Sequence, residues 1–145
     1  MTHHEPAELP EWAPGTVAVL STGGGEPHAI PVSTCVRAGP RAVLFALAAG
    51  RESLARLRED RRCALTLLGA GDVAVTAVGH ATVVADPLDA ASGVVAVRIG
   101  VERIQEHWQD SFAIEAGVRW RWTDPEAAAR DEAVRAALEE LAARD

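Results

Sequence analysis

The residues with the clearest chemical use sit at a junction. The apolar run Arg41–Ala48 ends in Ala48-Ala49-Gly50 and passes directly into Arg51-Glu52-Ser53. Where an extended segment turns into a helix, the first backbone N–H groups lack intrahelical acceptors and the helix dipole favours an anion. Arg51 can pair bidentately with a phosphate there, and Ser53 can donate a hydroxyl hydrogen bond. The same two residues also suit a plain helix start, with Ser53 capping and Arg51 solvated.

A second concentration is aromatic. The chain has only six aromatic residues, and Trp108, Phe112, Trp120 and Trp122 fall close together. If Val118–Trp122 (VRWRW) is extended, Trp120 and Trp122 share one face while Arg119 and Arg121 point the other way. Such a pair serves either as a hydrophobic lid or dimer contact, or as a wall for a flat heteroaromatic ligand.

Other chemistries find little footing. His3, His4, His28, His80 and His107 show no zinc-ligand spacing, so no metal site is expected. There is no Gly-x-Ser-x-Gly elbow, and a catalytic triad would have to be assembled by tertiary contacts. All fourteen basic residues are arginine and tyrosine is absent. That excludes a Schiff-base lysine, a Walker-type phosphate lysine and a tyrosine acid. Cys35 and Cys63 lie in apolar, β-rich runs and read as buried reduced thiols. A net charge of −7 argues against nucleic acid as a partner, since phosphate neutralisation needs a basic face. Even the cluster Arg56, Arg58, Arg61 and Arg62 is interrupted by Glu59 and Asp60. No apolar run reaches membrane-spanning length and the N-terminus has no signal-like region, so the expected location is cytoplasmic.

The elements that must position these residues are mostly strands. Residues 1–14 hold three prolines and read as an N-terminal arm, with 15–145 as a single domain. Thr16–Ser21, Pro27–Arg37, Arg41–Ala48, Cys63–Leu68, Val73–Ala85 and Val94–Trp108 are six β segments punctuated by glycine-rich turns. Pro31 demands an edge position or a bulge, and Gly79 marks a bend in a long strand. Arg51–Asp60 changes to helical period through Leu54 and Leu57. Leu88–Ser92 suits one helical turn. Asp124-Pro125-Glu126 starts a helix running to about Arg144, with Val134, Leu138 and Leu141 on one stripe. The sum is a mainly β (α+β) domain, a small barrel with helical caps.

In this order the pieces VAVLSTGGGEPHAIPV, RAVLFALAAGRESLARLRED, RRCALTLL and VAVTAVGHATVVAD resemble the flavin-binding split-barrel family, the pyridoxamine 5'-phosphate oxidase-like proteins. The match runs from about Thr16 to Ala85 and more loosely to Trp122. The resemblance implies a six-stranded split β-barrel with a short helix after strand three and a C-terminal helix. It also implies a homodimer that binds FMN, or the related deazaflavin coenzyme, in grooves between subunits. Ile30, Pro31, Val32 and Ser33 would lie along the isoalloxazine through backbone contacts. Ala46, Leu47 and Ala48 would line its other side, Arg51 and Ser53 would hold the phosphate, and Trp120 and Arg121 would approach from the partner subunit. Family members commonly carry a lysine where Ser53 stands and a hydroxyl residue where Ala48 stands. The arginine-rich C-terminal motif of true pyridoxamine phosphate oxidases is missing, so vitamin B6 oxidation is not expected.

The function so implied is a flavin- or deazaflavin-dependent oxidoreductase acting on a small unsaturated or aromatic substrate. His28 or His80 would be the proton donor if a side chain supplies one. The alternatives are an FMN-binding protein without turnover, and a cofactor-less dimeric barrel serving as a ligand-binding or interaction module.

Overall fold

The computed structural model describes residues 5–89 and 91–144; His3 and His4 lie outside the described residues. In chain order the elements are β1 (Ala18–Thr22), β2 (His28–Val32), β3 (Val36–Gly39), β4 (Ala42–Ala48), α1 (Glu52–Glu59), β5 (Arg62–Gly69), β6 (Val73–Ala85), β7 (Val94–Glu106) and α2 (Pro125–Arg144). The strands form one antiparallel sheet in the order β2-β1-β5-β6-β7-β4-β3.

The sheet has seven strands rather than six, and the first helix follows the fourth strand rather than the third. The stretch Pro27–Arg37, which reads as one returning strand, is divided. Its first half pairs with β1 and its second half with β4, at opposite edges of the sheet. Only Ser33, Thr34 and Cys35 join the two halves, and a chain that short reaches at most about 14 Å. The edges must therefore come together, which curls the sheet into a barrel. Pro31 sits on the edge strand β2, where its missing N–H costs no ladder bond.

Alternation sorts the side chains into two cores. Leu20, Val43, Phe45, Leu65, Leu67, Val75, Val95 and Ile99 fill the barrel interior. Leu44 and Ala46, on the outer face of β4, look instead toward α2, where Leu44, Leu88, Ala96, Val134 and Leu138 form a separate cluster. A strand buried on both faces needs apolar residues throughout, which accounts for the unbroken run Ala42–Ala48. Asp124 caps α2 through its side chain, Oδ1 accepting from Glu126 N–H at 3.1 Å. Leu141 packs at the edge of the same cluster. The segment after β6 is not the expected helical turn. Leu88 and Ala91 form a β-bridge instead, because Leu88 is drawn under α2. Residues 5–14 hold no helix or strand, but Leu9 is buried in the barrel core and Trp12 donates its indole N–H to Cys35 C=O at 3.0 Å. Among the described residues no helix is long and apolar enough to cross a membrane.

Two local devices shape the sheet. The register between β6 and β7 shifts at Val78/Gly79, and a Cβ on Gly79 would stand 2.0 Å from the Gly100 carbonyl oxygen. Close by, where Arg62 pairs with His80, Asp60 accepts hydrogen bonds from the Arg62 N–H and guanidinium and packs under the Gly23-Gly24 turn. The Arg62 hydrogen bonds pull the Asp60 carboxyl down to about 2.

Gly79→Ala is expected to cost roughly 1–3 kcal/mol or more, because backbone rather than a side chain must move. Gly100→Ala, whose added Cβ meets nothing closer than 3.7 Å, should leave the midpoint of urea unfolding nearly unchanged. Equal destabilisation by the two would refute the close-approach explanation. Because the folded pKa of Asp60 is lowered, its contribution is full above about pH 4 and lost as pH falls through about 2. Asp60→Asn should therefore lower Tm at neutral pH, with the gap closing toward pH 2.

Candidate functional site

The groove that gathers most of the candidate residues exists because β3 is shorter than β4. Pairing with β3 extends only from Ala42 to Leu44, so the end of β4 has no strand beside it on that edge. The Ala46 N–H finds an acceptor in the Thr34 hydroxyl at 3.0 Å instead. Since N–H and C=O of one strand residue point the same way, the Ala46 C=O and the Ala48 N–H also face this open edge. The Ala48 C=O is taken by the Arg51 N–H at 3.0 Å.

Along that edge lies a groove of about 230 Å³. Ala46, Leu47 and Ala48 form its floor, Thr34 and Val94 flank it, and Trp122 with Arg130 and Val134 closes the side toward α2. The expected trio from β4 is thus brought together with an aromatic wall. The other half of the expected ring site is not. Ile30 packs against the barrel core, Val32 is buried in it and Pro31 is exposed on β2. Ser33, which follows β2, does not line the groove; its neighbour Thr34 does. Thr34 and Arg130 are members that the sequence did not single out, and Trp122 was named only as one of the aromatic pair. A hydroxyl side chain three residues after the edge-strand proline Pro31 was the available signal for Thr34.

Beyond the floor, α1 begins. Arg51 is its N-cap residue, exposed, with extended backbone and no side-chain cap. Its guanidinium has no partner among the described residues. Ser53 is buried at 1% exposure, and its hydroxyl is 3.0 Å from His28 Nε2. His28 Nδ1 lies 3.2 Å from Glu52 Oε2, which Arg56 Nε also meets at 2.9 Å. A carboxylate only accepts, so Nδ1 carries the proton of a neutral His28 and Nε2 accepts from Ser53. The relay has the order of a nucleophile triad, but its serine is buried and closed off. Its role is to bind β2 to the start of α1. The phosphate-like junction therefore presents Arg51 and the free N–H groups of the first turn, with the Ser53 hydroxyl already engaged.

The remaining expected groups lie elsewhere. His80 pairs with Glu102 across β6 and β7 and does not line the groove. His107 Nε2 is 2.7 Å from the Thr76 hydroxyl, which in turn meets Thr66. Trp120 and Arg121 line a separate cleft on the far side of Trp122, between the N-terminal arm and the segment preceding α2. Trp120 and Trp122 do face each other, edge to face with centroids 5.4 Å apart, yet Arg119 and Arg121 line that same cleft rather than only the opposite face.

No family model matches the chain, and no curated protein matches it. Solved structures do. A candidate pyridoxamine 5'-phosphate oxidase from Lactobacillus delbrueckii superposes with a TM-score of 0.58 at 17% identity, covering 72% of this chain and 98% of its own. An F420 reductase gives 0.55 at 11% identity over 64% and 91% of the two chains. An FAD-binding protein from Mesorhizobium loti gives 0.52 at 14% identity over 62% and 83%. The fold is thus the split barrel of the pyridoxamine 5'-phosphate oxidase-like proteins.

Cysteine chemistry is closed off by burial. Both thiols are free and buried, and desolvation pushes each to about 12. At pH 8 only about one thiol in ten thousand would be ionised at such a pKa. The folded protein should therefore fail to react with a thiol-specific disulfide reagent over an hour, and release both thiols on unfolding. Rapid labelling of either in the native state would contradict that burial.

Proposed function

We propose that this chain binds a flavin-type cofactor along the free edge of β4 and works as a flavin- or deazaflavin-dependent oxidoreductase on a small unsaturated or aromatic substrate. The observation that carries the reading is the strand-free Ala46–Ala48 edge facing Trp122, which leaves the Ala46 C=O and the Ala48 N–H to a ligand, with Arg51 three residues further on. A peptide edge offers alternating donors and acceptors to the rim of a flat heteroaromatic ring, and an aromatic wall packs against its face. The fold it shares with an FAD-binding protein and an F420 reductase supports the same choice.

The residues fit such a ring only in part. At about 230 Å³ the groove is smaller than the roughly 300–1,000 Å³ of a complete small-molecule site. A second copy of the chain completing the groove supplies the missing wall, so the working form on this reading is a homodimer. Exposed Val19, Leu68 and Phe112 give it apolar surface to cover. Arg51 and the first-turn N–H groups of α1 would hold a phosphate, and the Glu52 carboxylate beside them is tied up by Arg56 and His28. A bound flavin or deazaflavin supplies hydride chemistry, leaving the protein to bind, orient and exclude water.

One observation favours a second reading, a flavin-binding protein without turnover. The titratable side chains on the groove are Arg130 and Asp131, and Asp131 is already paired with Arg135 at 2.8 Å. Proton transfer from a groove side chain is therefore poorly served.

Titration with FMN, riboflavin and the deazaflavin, read by absorbance and fluorescence, tests the assignment. Saturable binding at one site per chain is expected. Arg51→Ala should weaken FMN by roughly tenfold to a hundredfold, the worth of a charge-assisted hydrogen bond, and leave riboflavin unchanged. Trp122→Ala should weaken all three. Failure to bind any of them overturns the proposal. Bound cofactor that no unsaturated substrate reoxidises selects the second reading.

A further inference from the structure

The cleft beyond Trp122 has its own chemistry. It encloses about 520 Å³ between the turn at Gly15 and residues 118–122, which belong to no helix or strand, with α2 behind it. Trp120 is fixed on two sides. Its indole N–H donates to the Gly15 carbonyl at 2.9 Å, and the Arg135 guanidinium carbon stands 5.7 Å from its ring centroid. Arg135 is in turn held by Asp131 at 2.8 Å, and both of these side chains are largely buried. Gly15 makes the arrangement possible. Its φ of +84° suits glycine, and a Cβ there would meet the Arg135 guanidinium at 3.0 Å.

Trp122 stands at 85° to Trp120, so the two indoles make a corner in which a flat ring can stack on one and meet the edge of the other. They remain 38% and 45% exposed, which leaves that corner open to a ligand. Around it the charge is positive. Arg119 and Arg121 line the cleft with no partner among the described residues, and the carboxylate lining it, Asp131, is neutralised by Arg135. In a chain of net charge −7, two unpaired guanidiniums beside an aromatic corner run against the overall sign of the chain. Guanidinium forks match planar oxyanions bidentately, and arginine beside an aromatic ring also stacks on an incoming π system.

We infer that the cleft formed by Trp120, Trp122, Arg119 and Arg121 is a second ligand site, one that takes a planar aromatic anion. The aromatic ring sits in the indole corner and its anionic group pairs with the two arginines. The assignment stands apart from the cofactor reading of the β4 groove, because only Trp122 and Asp131 line both cavities.

The test uses the full chain without added cofactor and follows the indole N–H resonances by NMR during titration with naphthoate. Saturable shifts of Trp120 and Trp122, with Trp12 and Trp108 unmoved, are expected. The neutral analogue naphthylmethanol should bind at least roughly tenfold more weakly, as should naphthoate to the Arg119→Ala, Arg121→Ala double variant. Both arginines are exposed, so that variant should keep its circular dichroism and Tm. Naphthyl phosphate serves as a further arm: tighter binding than naphthoate would identify a phosphate ester as the anion, weaker binding a carboxylate. Absence of saturable shifts, equal binding of naphthylmethanol, or an unaffected double variant each overturns the inference. A flavin titration that succeeds or fails leaves this result untouched.

Discussion

Everything in this fold turns on Ser33, Thr34 and Cys35, which carry the chain from one edge of the sheet to the other. So short a crossing cannot exist on an open sheet seven strands wide, because neighbouring strands lie about 4.8 Å apart. It therefore forces closure, and with closure comes a dry interior for Leu20, Phe45, Leu65 and Ile99. The crossing is also where closure is incomplete. β3 leaves β4 after Leu44, and the backbone amide exposed at Ala46 is met by the Thr34 hydroxyl from the crossing itself. One segment thus shuts the barrel and opens the groove. An unpaired strand edge buried against α2 would be costly without a ligand, water or partner to bond it.

Much of this architecture was legible in the residues. Strand β6 has the bounds its sequence suggests, α2 begins at its aspartate cap and proline, Pro31 lies on an edge, and Gly79 marks a register shift. These features come from local rules: period, cap chemistry, and the missing donor or missing Cβ. The split of Pro27–Arg37 into two strands was not legible, since the run stays β-like throughout and only the pairing partner changes. Nor could alternation show that Leu88 would be drawn under α2, because that depends on a helix nearly forty residues away.

The candidate site divides along the same line. Ala46, Leu47 and Ala48 belong to one strand, and neighbours along one strand stay neighbours on the groove floor. Ile30, Val32 and Ser53 depend on which face the tertiary structure buries. Val32 fills the core, and Ser53 gives its hydroxyl to His28. The His28–Glu52 contact shows why a titratable cluster alone says little about chemistry. Its geometry serves a nucleophile well, but burial of the serine turns it into a clamp between β2 and α1.

The two cavities have a common mechanical consequence. α2 is attached to the barrel chiefly through Val134 and Leu138, on the far side of β4 from the interior. Asp131, one turn earlier, lines both the groove and the cleft, and Trp122 stands between them just before the helix starts. The face of α2 that seals the barrel exterior therefore also sets the separation of the two cavities. A shift of α2 along β4 would change both together, whereas a change confined to the arm reaches only the cleft, which Ala13, Pro14 and Gly15 line and where the Gly15 carbonyl holds Trp120. The barrel interior supplies rigidity to this arrangement, and the chemistry is left to its outer surface, where backbone edge, indole and guanidinium remain unsatisfied.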